Sequence, residues 1–310
     1  MQTIYAAKVA HGHRDAPINW QRERWVTPDA DFVDVDWREA VTPLAEEAPL
    51  LVLFHGLEGS SSSHYATAFE AQTHGRGWHM VVPHFRGCSG ATNTAPRAYH
   101  SGDHEEIDWM LTRIRAKHKG LVFAVGISLG GNALMRWAGE MGGAAGCLVD
   151  AIASVCAPVD LTASGHAIDT GFNKAVYARM FLASMKPRAM DKLQQFPGLF
   201  DAQAVMAAST LYAFDDAFTA PLHGFQNVED YWRRASAKPV LSNVQVPALV
   251  LNARNDPFVP ASCLPAHGQV SGHVTLWQPE QGGHVGFTSA RFPGDLQEMP
   301  SAVMDWMTHG

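Results

Sequence analysis

Five short, almost uninterrupted apolar runs recur along the chain, with amphipathic or irregular segments between them. Runs of this kind are typical of strands that are covered on both faces, as in a parallel sheet. They are Leu50–Phe54, Met80–Pro83, Leu121–Val125, Ala151–Cys156 and Ala248–Leu251. A sixth run, His273–Trp277, alternates more strongly between apolar and polar residues. We therefore expect it to form an edge strand.

The remaining patterns indicate helices and a hairpin. Glu105–Lys117 places its apolar side chains on one helical stripe, and His64–Ala71 also suits a helix, with serines ahead of it that can cap. Arg24–Thr27 and Asp31–Trp37 flank Pro28-Asp29-Ala30, which predicts an antiparallel hairpin. Strands that alternate with helices imply right-handed crossovers. The predicted fold class is α/β, with a mostly parallel, doubly wound sheet of eight strands.

One stretch, residues 161–237, interrupts this alternation because no run in it suits a parallel strand. We interpret it as a helical lid, inserted after the sixth strand and lying over the carboxyl edge of the sheet. The core then comprises residues 1–160 and 238–310. The prolines expected to punctuate the helical pieces of the lid are Pro187, Pro197 and Pro221.

The lid is markedly apolar, and two interpretations of this stay open. Its side chains suit a pocket for an acyl chain or a surface that meets lipid, but an inserted helical segment must also bury one face against its neighbours. The residues concerned are Met180, Phe181, Leu182, Met185, Phe196, Leu199 and Phe200.

Composition and charge narrow the classes of function. A net charge of -7 with scattered Lys and Arg gives no electrostatic footprint for nucleic acid and no attraction to anionic lipid, although transient contact with neutral lipid stays open. The N-terminus shows no secretion signal, and no apolar run approaches the roughly 20 residues that span a bilayer. We expect a cytoplasmic protein without a transmembrane segment. The cysteines form no C-x-x-C pair, which favours reduced, mostly buried thiols. No pattern indicates an oligomeric state.

The strongest chemical signal is Gly126-Ile127-Ser128-Leu129-Gly130, directly behind the run Leu121–Val125. A buried strand that runs into G-x-S-x-G is typical of a nucleophile elbow, where a serine lies on a sharp, strained turn between a strand and a helix. Glycine is favoured on both sides because a side chain there would collide with the turn. The following residues, Gly131–Ala138, indicate a mostly buried helix whose N-terminus lies beside the serine hydroxyl.

A serine hydroxyl needs a base to take its proton, and a carboxylate to orient that base. After a nucleophile elbow these groups follow in the chain order acid, then histidine. Asp256 follows the strand Ala248–Leu251, and His284 lies in a glycine-containing loop after the last strand. We therefore predict Ser128, Asp256 and His284 as the catalytic residues. The alternatives are Asp160 for the acid and His223, His267 or His273 for the base.

The predicted oxyanion hole has two backbone donors. One is the N–H of Leu129, immediately after the serine, and the other is the N–H of Leu57, in the loop Phe54–Gly59. His55 is expected to order this loop rather than to transfer protons. Arg86 suits either a substrate carboxylate or, more simply, the tethering of its own loop.

The 16 histidines raise the question of a metal site. The close pairs are His11-x-His13 and His100-x-x-x-His104, and neither belongs to a metal-binding motif such as H-E-x-x-H. We expect no metal and no cofactor.

Further motifs accompany the elbow over nearly the whole chain, from about Trp20 to Trp306. They are His55–Ser60, His84–Gly90, Tyr99–Gly102, Gly126–Asn132, Asp256–Pro260 and Gly282–Phe287, with Asp215–Phe225 and Tyr231-Trp232 in the lid. Together they resemble the YheT-like branch of the α/β-hydrolases. Two positions depart from its pattern: Ala91 replaces a usual acidic residue, and Asn255 stands where an Asp often precedes the acid of the triad.

The resemblance implies a serine hydrolase that cleaves carboxylic esters of small molecules, with apolar acyl or lipid-like esters as substrates. The two departures are expected to alter local charge or loop bonding without removing a catalytic group. Three alternatives remain: a thioesterase, a non-catalytic receptor for a small apolar ligand, and a cofactor-free haloperoxidase or C–C hydrolase on the same scaffold.

Overall fold

Eight strands pair side by side in one sheet, in the spatial order β1-β2-β4-β3-β5-β6-β7-β8. The computed structural model describes residues 18–39, 44–288 and 294–309. Within these ranges the strands are β1 (Trp20–Val26), β2 (Phe32–Arg38), β3 (Leu50–Phe54), β4 (His79–Pro83), β5 (Val122–Ile127), β6 (Ala151–Val155), β7 (Ala248–Leu251) and β8 (Val274–Trp277). The β1–β2 and β2–β4 pairings are antiparallel, and the other pairings are parallel. The predicted α/β fold class is confirmed, with β8 at an edge.

Helices cover the sheet and fill the long connection between β6 and β7. They are α1 (His64–Arg76), α2 (His104–Lys117), α3 (Leu129–Met141), α4 (Leu161–Ile168), α5 (Gly171–Asn173), α6 (Arg179–Gln195), α7 (Ala202–Ala207), α8 (Leu211–Phe214), α9 (Ala220–Leu222), α10 (Val228–Ala235) and α11 (Glu298–His309). Two π-helical turns, Lys174–Ala178 and Asp215–Thr219, join α5 to α6 and α8 to α9.

The core has two layers, one on each face of the sheet. Alternate side chains of β3 pack on one face with α2 and α3, and the remaining ones pack on the other face with α1 and α11. Because the central strands are covered on both faces, their residues are apolar almost without interruption. This double burial is why the apolar runs in the sequence located the strands.

Some element ends differ from the predicted ones. The strand β5 runs on to Ile127, because Gly126 and Ile127 still pair with β6 although glycine weakens the apolar pattern. The helix α1 runs on to Arg76 rather than ending at Ala71. Its last turns are polar, so the apolar pattern did not reveal them. Its C-cap is Gly77, with a φ of 68°.

The connection between β6 and β7 is helical, and it carries its own cluster of buried apolar side chains. Pro187, which we expected to punctuate this region, lies inside α6 instead. A proline there removes one helical hydrogen bond, so the packing of α6 against its neighbours must outweigh that loss. The division of the chain into a core and a lid of residues 161–237 stays a prediction.

Candidate active site

Ser128 lies on a sharp turn between the end of β5 and the start of α3, at φ 52° and ψ -117°. The glycines on either side of the turn have a steric explanation. A Cβ atom on Gly126 would lie 2.4 Å from the carbonyl oxygen of Gly130, and one on Gly130 would lie 2.5 Å from those of Phe54 and His55. The turn therefore requires glycine at both positions, as the G-x-S-x-G pattern indicates.

Two hydrogen bonds link the serine to a histidine and a carboxylate. His284 Nε2 lies 2.9 Å from Ser128 Oγ, and His284 Nδ1 lies 2.9 Å from Asp256 Oδ2. The Asp256 side chain is fully buried, and its Oδ1 accepts a hydrogen bond from the N–H of Phe258 at 2.8 Å. Because the carboxylate can only accept, Nδ1 carries the proton and Nε2 is free to accept the serine hydroxyl. The structure thus brings together the three predicted side chains, while their catalytic roles remain predictions.

The loop that carries His284 is fastened by residues next to the predicted acid. Asn255 Oδ1 accepts from the N–H of Gly283 at 2.9 Å, and Asn255 Nδ2 donates to Gln281 Oε1 at 2.7 Å. Asn255, which stands where the family often has an Asp, therefore holds the histidine loop through both the oxygen and the nitrogen of its side-chain amide.

Two further neighbours of the imidazole were not predicted. The thiol of Cys156 accepts from the N–H of Val285 at 3.2 Å, and the ring of Phe258 lies 4.4 Å from that of His284, between centroids. Cys156 directly follows β6 and has a φ of 54°, which is unusual for a non-glycine residue. Its place at the carboxyl end of a central strand is the feature of the sequence that could have identified Cys156 as a neighbour of the site. Phe258 had no comparable signal, because its contact depends on the conformation of a loop.

The alternative candidates lie in other roles. Asp160 caps α4 by accepting from the N–H of Ala163 at 3.1 Å. The ring of His223 lies 4.5 Å from that of His100, between centroids, at an interplanar angle of 58°, while His267 and His273 are exposed. The described contacts therefore place Asp256, and not Asp160, against the imidazole of His284.

The loop that carries Leu57, one of the two predicted oxyanion donors, lies against the serine. A Cβ atom on Gly56 would lie 3.3 Å from Ser128 Cβ, and Leu57 and Leu129 border the same cavity as Ser128. His55 is fully buried; its Nδ1 donates to the Gly56 carbonyl at 2.8 Å, and its Nε2 accepts from the Phe85 N–H at 3.0 Å. Burial lowers the pKa of His55 to about 3, so the ring is neutral and orders the loop. The oxyanion roles of Leu57 and Leu129 remain predictions.

A cavity of about 320 Å³ opens beside Ser128 and His284. Much of its wall is apolar and comes from the helices between β6 and β7, through Ile168, Phe181, Met185, Phe214 and Phe218. Of the apolar residues noted in the sequence, Phe181 and Met185 line the cavity, whereas Leu182 is buried among neighbouring helices and Met180 is 54% exposed. The apolar side chains of this region therefore divide between the wall of the cavity and the contacts among its helices.

Another part of the wall is strongly polar. Arg86 borders the cavity, but its guanidinium is bonded to Glu106 at 2.6 Å, to Asp29 at 2.7 Å and to Asp31 at 3.1 Å. The hydrogen bond from Arg86 lowers the pKa of Asp29 to about 2, whereas burial raises that of Glu106 to about 7. Arg86 therefore ties its loop to the hairpin and to α2.

Of the two close histidine pairs, His100 and His104 belong to no cluster of three possible metal ligands among the described residues. His11 and His13 lie outside those ranges. Where the chain is described, Cys156, Asp256 and His284 are the group whose possible ligand atoms lie within 4.8 Å of one another. Since Asp256 and His284 are hydrogen bonded to each other, we assign this group to the serine–histidine–carboxylate arrangement. Among the described helices, none combines the length and hydropathy required to cross a bilayer.

Comparisons with known proteins show the family and the fold of the chain. Residues 49–290 match the family described as "alpha/beta hydrolase fold". The chain is 38% identical over 292 residues to "Putative esterase YheT" of Escherichia coli strain K12, covering 93% of this chain and 84% of that protein. It is 26% identical to "Phospholipase ABHD3" of Mus musculus, covering 89% and 68% of the two chains. Among solved structures, an esterase of Pyrococcus furiosus matches with a TM-score of 0.57 at 14% identity, over 94% and 93% of the two chains. At that identity the structural likeness supports the fold alone.

Proposed function

Since the chain belongs to the α/β-hydrolase fold family and to its YheT-like branch, we propose that it hydrolyses carboxylic esters through an acyl-enzyme on Ser128. The observation that carries this proposal is the pair of 2.9 Å hydrogen bonds from His284 to Ser128 and to Asp256, beside a cavity. Relatives named as an esterase and a phospholipase support the same class of reaction.

In the proposed reaction, Ser128 Oγ attacks the ester carbonyl carbon while its proton passes to His284 Nε2. Asp256 stabilises the imidazolium that forms, and the N–H groups of Leu57 and Leu129 donate to the oxyanion. The carbon–oxygen bond of the ester then breaks, and the alcohol leaves with the proton from Nε2. Water repeats the sequence on the acyl-enzyme, which releases the acid and restores the serine.

The preferred substrates in this proposal are esters with an apolar acyl group. The support is the wall of aromatic and aliphatic side chains, Phe181, Met185 and Phe214 among them, that faces the predicted nucleophile. A relative of Saccharomyces cerevisiae is named "Monoacylglycerol lipase", which favours the same class. In this picture residues 161–237 act as the lid over the acyl group.

The test is a series of p-nitrophenyl esters of rising acyl length, measured with the wild-type protein, with Ser128→Ala and with Ser62→Ala. Ser62 is exposed, so its variant controls for loss of a serine hydroxyl elsewhere. We expect kcat/KM to rise with chain length and turnover to disappear only in Ser128→Ala. A maximum at acetate would reject the apolar preference but not the reaction.

Labelling with a fluorophosphonate separates the enzyme from a receptor on the same fold. An activated serine is phosphonylated, whereas an unactivated serine is not. We expect covalent labelling of the wild-type protein at Ser128 and none in Ser128→Ala. A folded wild-type protein without label or turnover would contradict the proposed function and favour the receptor alternative.

A further inference from the structure

Glu58 directly follows the predicted oxyanion donor Leu57 and has a strained backbone. Its φ is 59°, in the left-handed region that non-glycine residues rarely adopt. The side chain is only 11% exposed and borders the cavity. Contacts must therefore hold this residue in place, and whatever holds it also holds the amide of Leu57 next to it.

One contact comes from the core. The hydroxyl of Tyr99 accepts from the N–H of Glu58 at 3.0 Å and donates to Glu58 Oε1 at 2.9 Å. The Tyr99 ring stacks on Phe85 with centroids 5.5 Å apart, and the N–H of Phe85 donates to His55. Tyr99 thus fixes both the backbone and the carboxylate of Glu58 to the sheet edge.

The other contact comes from α6, across the cavity. Arg188 Nη1 lies 3.2 Å from Glu58 Oε1 and 3.5 Å from the thiol of Cys88. One turn later on the same helix, Lys192 Nζ donates to the carbonyls of Asn93 at 2.8 Å and Ala95 at 2.7 Å. The polar face of α6 therefore packs against the loop that follows β4 and against Glu58.

We propose that Glu58 and Arg188 form a positioning pair that couples the packing of α6 over the cavity to the orientation of the Leu57 amide. The inference rests on the proposed function, because it assigns the pair a role in binding the oxyanion. When α6 packs in this position, Arg188 balances the charge of the Glu58 carboxylate, which is mostly removed from water. When α6 moves away, Glu58 loses this cation, and the strained turn is held from the core side by Tyr99.

The pair should act on the transition state rather than on substrate binding. The Leu57 amide meets a full negative charge only when the tetrahedral intermediate forms, so misplacing it lowers kcat more than it raises KM. Removing an oxyanion donor outright costs on the order of a hundredfold or more in kcat. Misplacing one by loss of the pair should cost about tenfold.

The test measures kcat and KM for a p-nitrophenyl ester in Glu58→Gln, Arg188→Gln and the double variant. Each single variant should lower kcat about tenfold with little change in KM, and the double variant should lower it no further, because both changes remove one shared interaction. Arg188→Lys, which keeps the charge, should recover part of the loss. Thermal unfolding identifies any variant that fails to fold.

Lys186→Gln is the matched control, because it removes a cation from the same helix whose Nζ donates instead to the Met206 carbonyl at 2.7 Å, away from Glu58. We expect a kcat close to that of the wild type. A folded Arg188→Gln variant with wild-type kcat, or one with only a raised KM, would overturn the coupling and leave the proposed function standing. Failure of the wild-type protein to hydrolyse esters or to take the fluorophosphonate label would overturn both.

Discussion

In the proposed reaction, the side chains around Ser128 divide into those that touch the reacting atoms and those that hold these side chains in place. Ser128 and His284 border the cavity, whereas the Asp256 carboxylate is fully buried behind the imidazole. Such a carboxylate has no access to a substrate, so its contribution must pass through the histidine. In the proposed reaction it fixes the tautomer with a proton on Nδ1 and stabilises the imidazolium.

Exchange of each candidate acid for its amide distinguishes Asp256 from Asp160. Asp256→Asn should lower kcat on the order of 10⁴-fold, because an amide can donate to Nδ1 and favour the wrong tautomer. Asp160→Asn is the matched control, since asparagine still caps a helix well and α4 should stay intact. Ester hydrolysis by the two purified variants decides the matter. Comparable losses in both, or a loss confined to Asp160→Asn, would contradict our assignment.

The sequence predicted the site residues that follow the ends of strands. Ser128 and Asp256 follow β5 and β7, and parallel strands bring their carboxyl ends to one edge of the sheet. Cys156 lies at the same edge, which its place directly after β6 indicates, but the hydrogen bond of its thiol to Val285 depends on how the loop of His284 folds. The contact between Glu58 and Arg188 was equally out of reach, because it depends on how two distant segments pack across the cavity.

At the scale of elements, the junction of β5 and α3 is set by close approach of backbone to backbone. Gly130 has no room for a side chain, since a Cβ atom there would lie 2.5 Å from two carbonyl oxygens. Neither carbonyl can move without disturbing β3 or the loop after it. The strand and the helix therefore meet at one fixed angle, with the serine at the vertex.

Gly130→Ala should consequently destabilise the protein by about 1–3 kcal/mol and lower kcat, because the turn must open to admit the methyl group. Gly146→Ala serves as its control, since a Cβ atom at Gly146 meets nothing within 4 Å. Denaturant unfolding and ester turnover should separate the two variants clearly. Equal stability and activity in both would mean that the junction is more tolerant than its geometry indicates.

Element boundaries were less predictable than element types. The strands were located because they are apolar on both faces, but the polar last turns of α1 gave no signal of a helix. At Pro187 the prediction also underestimated helix, because tertiary packing keeps α6 helical through a residue that usually ends a helix. Local sequence thus specified the sheet better than the helices that lie over it.

At the scale of the whole molecule, some carboxyl groups are wholly or partly removed from water, and Asp215 is one of the partly buried ones. Asp215, in a π-helical turn at the cavity wall, accepts from Thr219 Oγ1 at 2.6 Å and from Trp232 Nε1 at 2.9 Å. Burial raises the pKa of this carboxyl from 3.8 to about 6. Between these values the folded protein holds a proton that the unfolded chain has released, so this group's contribution to stability is full below about pH 4 and is lost as the pH rises to about 6.

Replacement of Asp215 by Asn removes this titration. The stability of the wild type relative to Asp215→Asn should fall by up to about 2 kcal/mol between pH 4 and pH 6.5, on top of a constant offset from the altered hydrogen bonds. Denaturant unfolding at several pH values measures the difference. Asp216→Asn, at the exposed neighbouring position, reports the general effect of exchanging a carboxylate for an amide. A difference that does not vary with pH would show that Asp215 is ionised in the folded protein throughout this range.

The size of the cavity bears on how many chains a substrate can carry. At about 320 Å³ it lies at the lower end of the range for ligand pockets, about 300–1,000 Å³, and much of its wall is apolar. If esters of apolar acids are the substrates, as we propose, a cavity of this size favours one acyl tail over two long ones side by side. A diacyl lipid would have to leave one tail in solvent or in a bilayer, or wait for α6 to lift, whereas a single-chain molecule could react with the helix in place.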